Sequence, residues 1–100
     1  MKYKILLAID NQMAEEKFAE KIHEQNPDFL VVGNVVHKDS VVDFVENNPV
    51  DILLMVEGLN GDEDDFKFAI NLKVKFPDLR IVFLAGNRYP GDKNLAILVT

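Results

Sequence analysis

Four apolar segments recur along the chain at a spacing of about 25 residues. They cover residues 5–9, 29–36, 52–56 and 81–84 and consist mainly of Val, Ile and Leu, without alternating polar positions. Strands that are covered on both faces of a parallel sheet have this composition. The pattern therefore predicts four buried strands.

The segments between these strands have apolar residues at helical spacing. The first has one apolar face, made of Met13, Ala14, Phe18, Ala19 and Ile22. The second covers residues 40–47, with Ser40 or Asp39 as its N-cap. It ends before Pro49, because the residue before a proline is disfavoured in the α region.

A third helix is predicted from about residue 64 to residue 76, and Pro77 ends it. Its predicted interior positions are Phe66, Ala69, Ile70 and Leu72. The acidic run at residues 62–65 lies at its start, where carboxylates favour the positive end of the helix dipole. The run lacks the alternating ligand spacing of a calcium loop, so a solvated helix start is the preferred interpretation.

Strands that alternate with helices predict right-handed crossovers and an open parallel sheet with helices on both faces. The whole chain, residues 1–100, is long enough for a single α/β domain with one core. Ligands in such sheets bind at the carboxyl ends of the strands. The residues at those ends are Asp10, Asn11, Asn34, residues 56–61 and residues 85–87.

Four short motifs resemble the receiver domain of bacterial response regulators. Residues 10–12 read DNQ, residues 25–33 QNPDFLVVG, residues 48–55 NPVDILLM and residues 76–84 FPDLRIVFL. Together they match, in register, the end of the first strand and the entries to the second, third and fourth. The resemblance implies a flavodoxin-like parallel sheet of order 2-1-3-4 that is truncated before the family's fifth strand.

The resemblance also assigns the positions of the phosphorylation site, and most of them have changed. Asp10 keeps one of the two acids that hold Mg²⁺ in the family, and Asn11 replaces the other. Val56 stands where the family has its phosphoacceptor aspartate, and Ala85 replaces the hydroxyl residue after the fourth strand. The resemblance thus implies a degenerate receiver that is not an enzyme and has no cofactor, with Asp10 alone as a weak metal ligand.

Glu57, directly after the acceptor position, leaves an alternative open. If a bulge turned its side chain inward, the carboxylate would lie near Asp10 and imitate a permanently charged state. A plain solvated or capping glutamate is the more ordinary interpretation. His23, on a helix flank, and His37, in a loop beside Lys38, have no partner in the sequence that would make a catalytic dyad.

Charge and composition bear on location and partners. The net charge of −6 gives no basic surface for phosphates or for an anionic membrane. The sequence therefore predicts that this domain binds neither a nucleic acid nor a membrane. The chain has no cysteine, which agrees with a cytoplasmic protein, and its first apolar run is too short for a signal peptide.

The last apolar segment has two interpretations. Residues 95–99 correspond to the fourth helix of a receiver, but their β-branched and aliphatic side chains equally suit a strand. We expect the chain to be the N-terminal part of a longer protein, with its fourth strand exposed at the sheet edge. Exposed edges attract other chains, so we expect a homodimer whose interface includes Leu95, Ile97, Leu98 and Val99.

The sequence thus favours a non-phosphorylated receiver that acts as a protein-interaction module and regulates a partner or a fused output domain. One alternative is a small-molecule or nucleotide sensor that binds near Asp10, Asn34 and Glu57. A second is the N-terminal domain of a ParA/MinD-type localisation ATPase. A third is an unconventional phosphoacceptor that uses Glu57 or Asp10.

Overall fold

The computed structural model describes residues 2–85 and 95–99 of the chain, with side chains for residues 2–84. Strands and helices alternate through the first four strands, as predicted. In chain order they are β1 (Tyr3–Ala8), α1 (Gln12–Gln25), β2 (Phe29–Val35), α2 (Lys38–Asn47), β3 (Ile52–Val56), α3 (Asp65–Lys75), β4 (Arg80–Ala85) and β5 (Leu95–Val99).

The strands form one sheet in the order β2-β1-β3-β4-β5. β1 pairs in parallel with β2 and β3, and β3 pairs in parallel with β4. The predicted flavodoxin-like order 2-1-3-4 is therefore confirmed.

β5 runs antiparallel to β4, with Ile81 opposite Val99 and Ala85 opposite Leu95. The alternative of a strand in this segment is thus confirmed, and the expected exposed edge at β4 is wrong. Residues 86–94 are fewer than the dozen or more that a parallel crossover needs, so an antiparallel return is the geometry this length permits.

The core lies on both faces of the central strands. It includes the fully buried side chains Leu6, Leu7, Leu53, Met55 and Ile81, and α2 and α3 add Val41, Phe68, Ala69 and Leu72. A Cβ on Gly33 would lie 2.9 Å from the ring of Phe44. The absence of a side chain on β2 at this point is what lets α2 pack so closely against the sheet.

The N-cap of α2 differs from the prediction. The helix begins at Lys38 rather than at residue 40, and its N-cap is His37 instead of Ser40 or Asp39. The backbone N–H of Asp39 donates to Nδ1 of His37 at 3.1 Å. The imidazole nitrogen therefore supplies the acceptor that a Ser or Asp side chain usually provides.

Several apolar residues predicted to lie inside are exposed. Met13 of α1 is 70% exposed, and Phe66 and Ile70 of α3 are 61% and 58% exposed. The other members of the α1 face pack against the core, namely Ala14, Phe18, Ala19 and Ile22. α3 has apolar residues on two faces, so periodicity alone did not show which of them faces the sheet.

None of the described helices has the length and hydropathy needed to cross a bilayer.

Candidate functional site

The predicted site residues of the first strand lie at the carboxyl edge of the sheet. Asp10 follows the buried Ile9 and is exposed. Asn11 is the N-cap of α1, and its Oδ1 accepts the N–H of Ala14 at 3.1 Å. The amide of Asn34 extends from β2 and donates to the carbonyl of Ile9 at 3.4 Å. Two of the polar side chains at this edge therefore hold backbone groups.

Val56 ends β3 and lies opposite Leu84 of β4. Its side chain belongs to the core, and only 6% of the residue is exposed. Glu57 follows as an exposed residue whose N–H donates to the carbonyl of Leu84 at 3.1 Å. Its carboxylate makes neither a hydrogen bond nor an ion pair within residues 2–84, and its arrangement beside Asp10 stays a prediction.

Among the described residues, this edge has few groups that could bind a phosphoryl group or Mg²⁺. An isopropyl group cannot attack phosphorus, and Mg²⁺ is usually held by one or two carboxylates together with water and phosphate oxygens. Asp10 is the carboxylate at the end of β1, with an amide next to it at Asn11. Ala85 ends β4, and its side chain lies outside those described. Among the described residues no three His, Asp or Glu side chains gather to hold a metal ion.

A buried lysine that was not among the predicted site residues lies beside this edge. Lys38 is the first residue of α2, and only 6% of its side chain is exposed. Its Nζ lies 2.9 Å from Oδ1 of Asp65, the first residue of α3, and donates to the carbonyl of Glu63 at 2.6 Å. The ammonium group is therefore satisfied inside the protein.

Asp65 connects this lysine to the start of the β3–α3 loop (residues 57–64). While Oδ1 receives Lys38, Oδ2 accepts the backbone N–H of Gly58 at 2.9 Å. Asp64 has a different function, because it caps α3 by accepting the N–H groups of Phe66 and Lys67. The acidic run is thus a helix start as predicted, but its last member is half-buried and paired.

The middle of the β3–α3 loop is also attached to the start of α2. The carbonyl of Asn60 accepts the backbone N–H of Lys38 at 2.8 Å, and His37 and Asn60 form an isolated parallel bridge. The side-chain amide of Asn60 donates to the carbonyl of Val36 at 3.2 Å. The loop is therefore fixed at its start, its middle and its end.

Two glycines permit this course of the loop. Gly58 has φ +77° and Gly61 has φ +134°, values that other residues rarely adopt. A Cβ on Gly61 would lie 2.9 Å from both Cβ and Cδ of Lys38. The loop backbone therefore packs directly on the methylene groups of the buried lysine.

One local signal could have revealed Lys38. A cation in the first turn of a helix opposes the helix dipole, so a lysine at that position needs a compensating partner. The signal was hidden because the helix was predicted to begin at residue 40, which placed Lys38 in a loop.

The amino ends of the strands, at the opposite edge of the sheet, form an open concave region. An open pocket of about 370 Å³ is lined there by Tyr3, Phe29, Asp51, Ile52, Asp78 and Arg80. The rings of Tyr3 and Phe29 meet edge to face, with centroids 5.8 Å apart. None of the predicted site residues lines this pocket.

Comparison with known proteins finds similarity in structure only. No protein-family model matches the chain, and no curated protein matches it in sequence. Solved structures of RcsB share its fold. The non-phosphorylated receiver domain of the stress response regulator RcsB from Escherichia coli matches 90% of this chain with a TM-score of 0.77 and 22% identity.

Two other similar structures are complexes with DNA. RcsB from Salmonella enterica serovar Typhimurium, bound to a promoter in the presence of the phosphomimetic BeF3-, has a TM-score of 0.76, 22% identity and 90% coverage of this chain. The two-component response regulator RcsB–DNA complex has a TM-score of 0.79, 20% identity and 87% coverage. The chain spans 70% of the isolated E. coli receiver domain but only 45% and 44% of these two RcsB chains. At this identity the match establishes the fold of a response-regulator receiver domain.

These complexes correct one prediction. The acidic charge was taken to exclude a nucleic-acid partner, and that exclusion is wrong, because solved structures with this fold are RcsB–DNA complexes. More than half of the RcsB chain in each of the two DNA complexes described above lies outside the matched part. The net charge of a receiver-sized unit does not report on DNA contacts made by the rest of such an assembly.

Proposed function

We propose that this chain is a degenerate receiver, a regulatory module of signal transduction that acts by protein contact without being phosphorylated. The observation that carries the proposal is Val56, which ends β3 at the position where the family resemblance places the phosphoacceptor. Its side chain is packed in the core, so it has neither a nucleophilic atom nor access to a phosphodonor.

The surrounding residues support the same proposal. Asn11 uses its side-chain oxygen to cap α1, and the carboxylate of Glu57 is exposed without a partner within residues 2–84. Of the two acids that hold Mg²⁺ in the family, this chain therefore keeps only Asp10. A module of this kind requires neither a cofactor nor an enzymatic step.

Contact with another protein is the output that we propose. The partner protein that this module regulates can itself be a DNA-binding protein, since solved structures of RcsB are complexes with DNA. Self-association along the outer edge of β5 is a further part of the proposal, because an unpaired edge strand is a template for another chain.

The proposal is tested by incubating the protein with acetyl phosphate and Mg²⁺ and measuring its intact mass. We expect no phosphoryl adduct on the natural chain. A RcsB receiver domain treated in parallel is the positive control for the reagent. A hydroxylamine-sensitive adduct of one phosphoryl group on the natural chain would show that a carboxylate of this chain accepts phosphate, and the proposal would then be wrong.

A further inference from the structure

We propose that the Lys38–Asp65 ion pair is a latch that holds the β3–α3 loop in a single conformation and so presents a constant surface to a partner. The inference rests on the proposed function, because a module without phosphorylation has no covalent event that would rearrange this loop. It concerns residues that take no part in the degenerate phosphorylation site.

The contacts of this latch are those of a buried ion pair and not of a surface ion pair. The exposed fraction of the side chain is 6% for Lys38 and 19% for Asp65, and Nζ and Oδ1 are 2.9 Å apart. Nζ also donates to the carbonyl of Glu63 at 2.6 Å. Within the described residues no buried side-chain nitrogen or oxygen lacks a hydrogen-bond partner.

The latch acts on the loop from both ends. Asp65 binds Lys38 through one oxygen and the N–H of Gly58 through the other, so the start of the loop is held by the residue that follows its end. Lys38 donates from Nζ to the carbonyl of Glu63 and from its backbone N–H to the carbonyl of Asn60. Loss of the lysine ammonium would therefore release the end of the loop and leave the carboxylate that holds its start without a counter-charge.

A second ion pair provides an internal comparison. Lys75 of α3 pairs with Glu46 of α2, so the same two helices are joined near their other ends. This pair is exposed and touches no residue of the β3–α3 loop within residues 2–84. The two pairs thus differ in their relation to the loop although both connect α2 with α3.

Stability alone is a weak reason for such a pair. Replacing a buried ion pair by apolar side chains of similar size is often neutral or stabilising, whereas a charged pair fixes one arrangement of the groups around it. The loop that is fixed here follows Val56 directly and exposes Glu57, Asn60 and Asp62 at the carboxyl edge of the sheet. These are the groups that a partner would find in a constant position.

The test is amide hydrogen exchange, measured by NMR on the whole chain for the natural protein, K38M and K75M. Methionine keeps the packing against Gly61 and removes the ammonium group. In K38M we expect exchange at Gly58 and at the amide of position 38 to become at least about tenfold faster relative to the amides of the central strand β3, because the acceptors of both donors are no longer held in place. In K75M we expect both ratios to stay at their natural values.

Unchanged ratios in K38M, or an equal rise in K75M, would overturn the latch. Where K38M does not fold, D65N serves instead, because it keeps an oxygen for Gly58 while it removes the counter-charge of Lys38. We expect D65N to accelerate amide exchange at position 38. Unchanged exchange rates at that position would again overturn the proposal. The exchange ratios do not depend on phosphate, so failure of the latch is distinguishable from failure of the proposed function, which is read from the mass of the acetyl phosphate sample.

Discussion

At the scale of single residues, the two glycines of the β3–α3 loop resist substitution for different reasons. Gly58 has φ +77° but no heavy atom within 4 Å of the position that a Cβ would occupy, whereas at Gly61 a Cβ would collide with Lys38. We expect G58A to cost about 1–2 kcal/mol of unfolding free energy, the usual penalty of a left-handed residue. We expect G61A to cost about 1–3 kcal/mol more, because a tightly packed neighbour must also move.

Urea unfolding of both alanine variants beside the natural chain measures this difference. G58A is the matched control, since both substitutions add one methyl group to a positive-φ glycine in the same loop. Equal losses for the two variants would show that Lys38 does not pack against Gly61 in solution.

Residue-level chemistry was only partly predictable from the sequence. The acidic run at residues 62–65 was correctly assigned to the start of a helix, because carboxylates favour that end of the helix dipole. The Lys38–Asp65 pair was missed, because the two residues are far apart in the chain and meet only when α2 and α3 lie side by side. Pairing of this kind depends on tertiary packing, which composition and spacing do not contain.

At the scale of elements, α3 shows what periodicity can and cannot determine. Its buried side chains are Phe68, Ala69 and Leu72, while Phe66, Ile70 and Val74 form an exposed apolar stripe. Both sets have helical spacing, so the sequence predicted the helix correctly and assigned Phe66 and Ile70 to the wrong face. The four strands were predicted from their uninterrupted apolar runs. Their order 2-1-3-4 was what the resemblance to receiver domains implied, and the sheet has that order.

The face of α3 that packs on the sheet is tested by two truncations. L72A should lower the unfolding free energy by about 2–4 kcal/mol, because it removes buried methyl groups and leaves a cavity. V74A should change it by less than about 0.5 kcal/mol, because Val74 is largely exposed. Thermal or urea unfolding measures both, and a larger loss for V74A than for L72A would mean that the stripe faces the core.

At the scale of the whole molecule, the sheet has an edge strand on each side, β2 and β5. β2 carries an irregularity in its register with β1 between Ile5 and Leu6. Irregular edges discourage pairing with another chain, while a regular antiparallel edge such as β5 invites it. The interface residues predicted from the sequence, Leu95, Ile97, Leu98 and Val99, all fall on β5, and their side chains lie outside those described.

Self-association along β5 should therefore be visible by sedimentation velocity as a rise in sedimentation coefficient with protein concentration. L98K should shift the chain toward monomer, because both copies would then carry a lysine at the edge where they pair, and like charges oppose that pairing. L30K is the matched control, since Leu30 is an exposed leucine on the opposite edge strand and should leave the association unchanged. A natural chain that stays monomeric at high concentration would show that β5 is not an interface between copies. An equal effect of both lysine substitutions would place the contact elsewhere than at this edge.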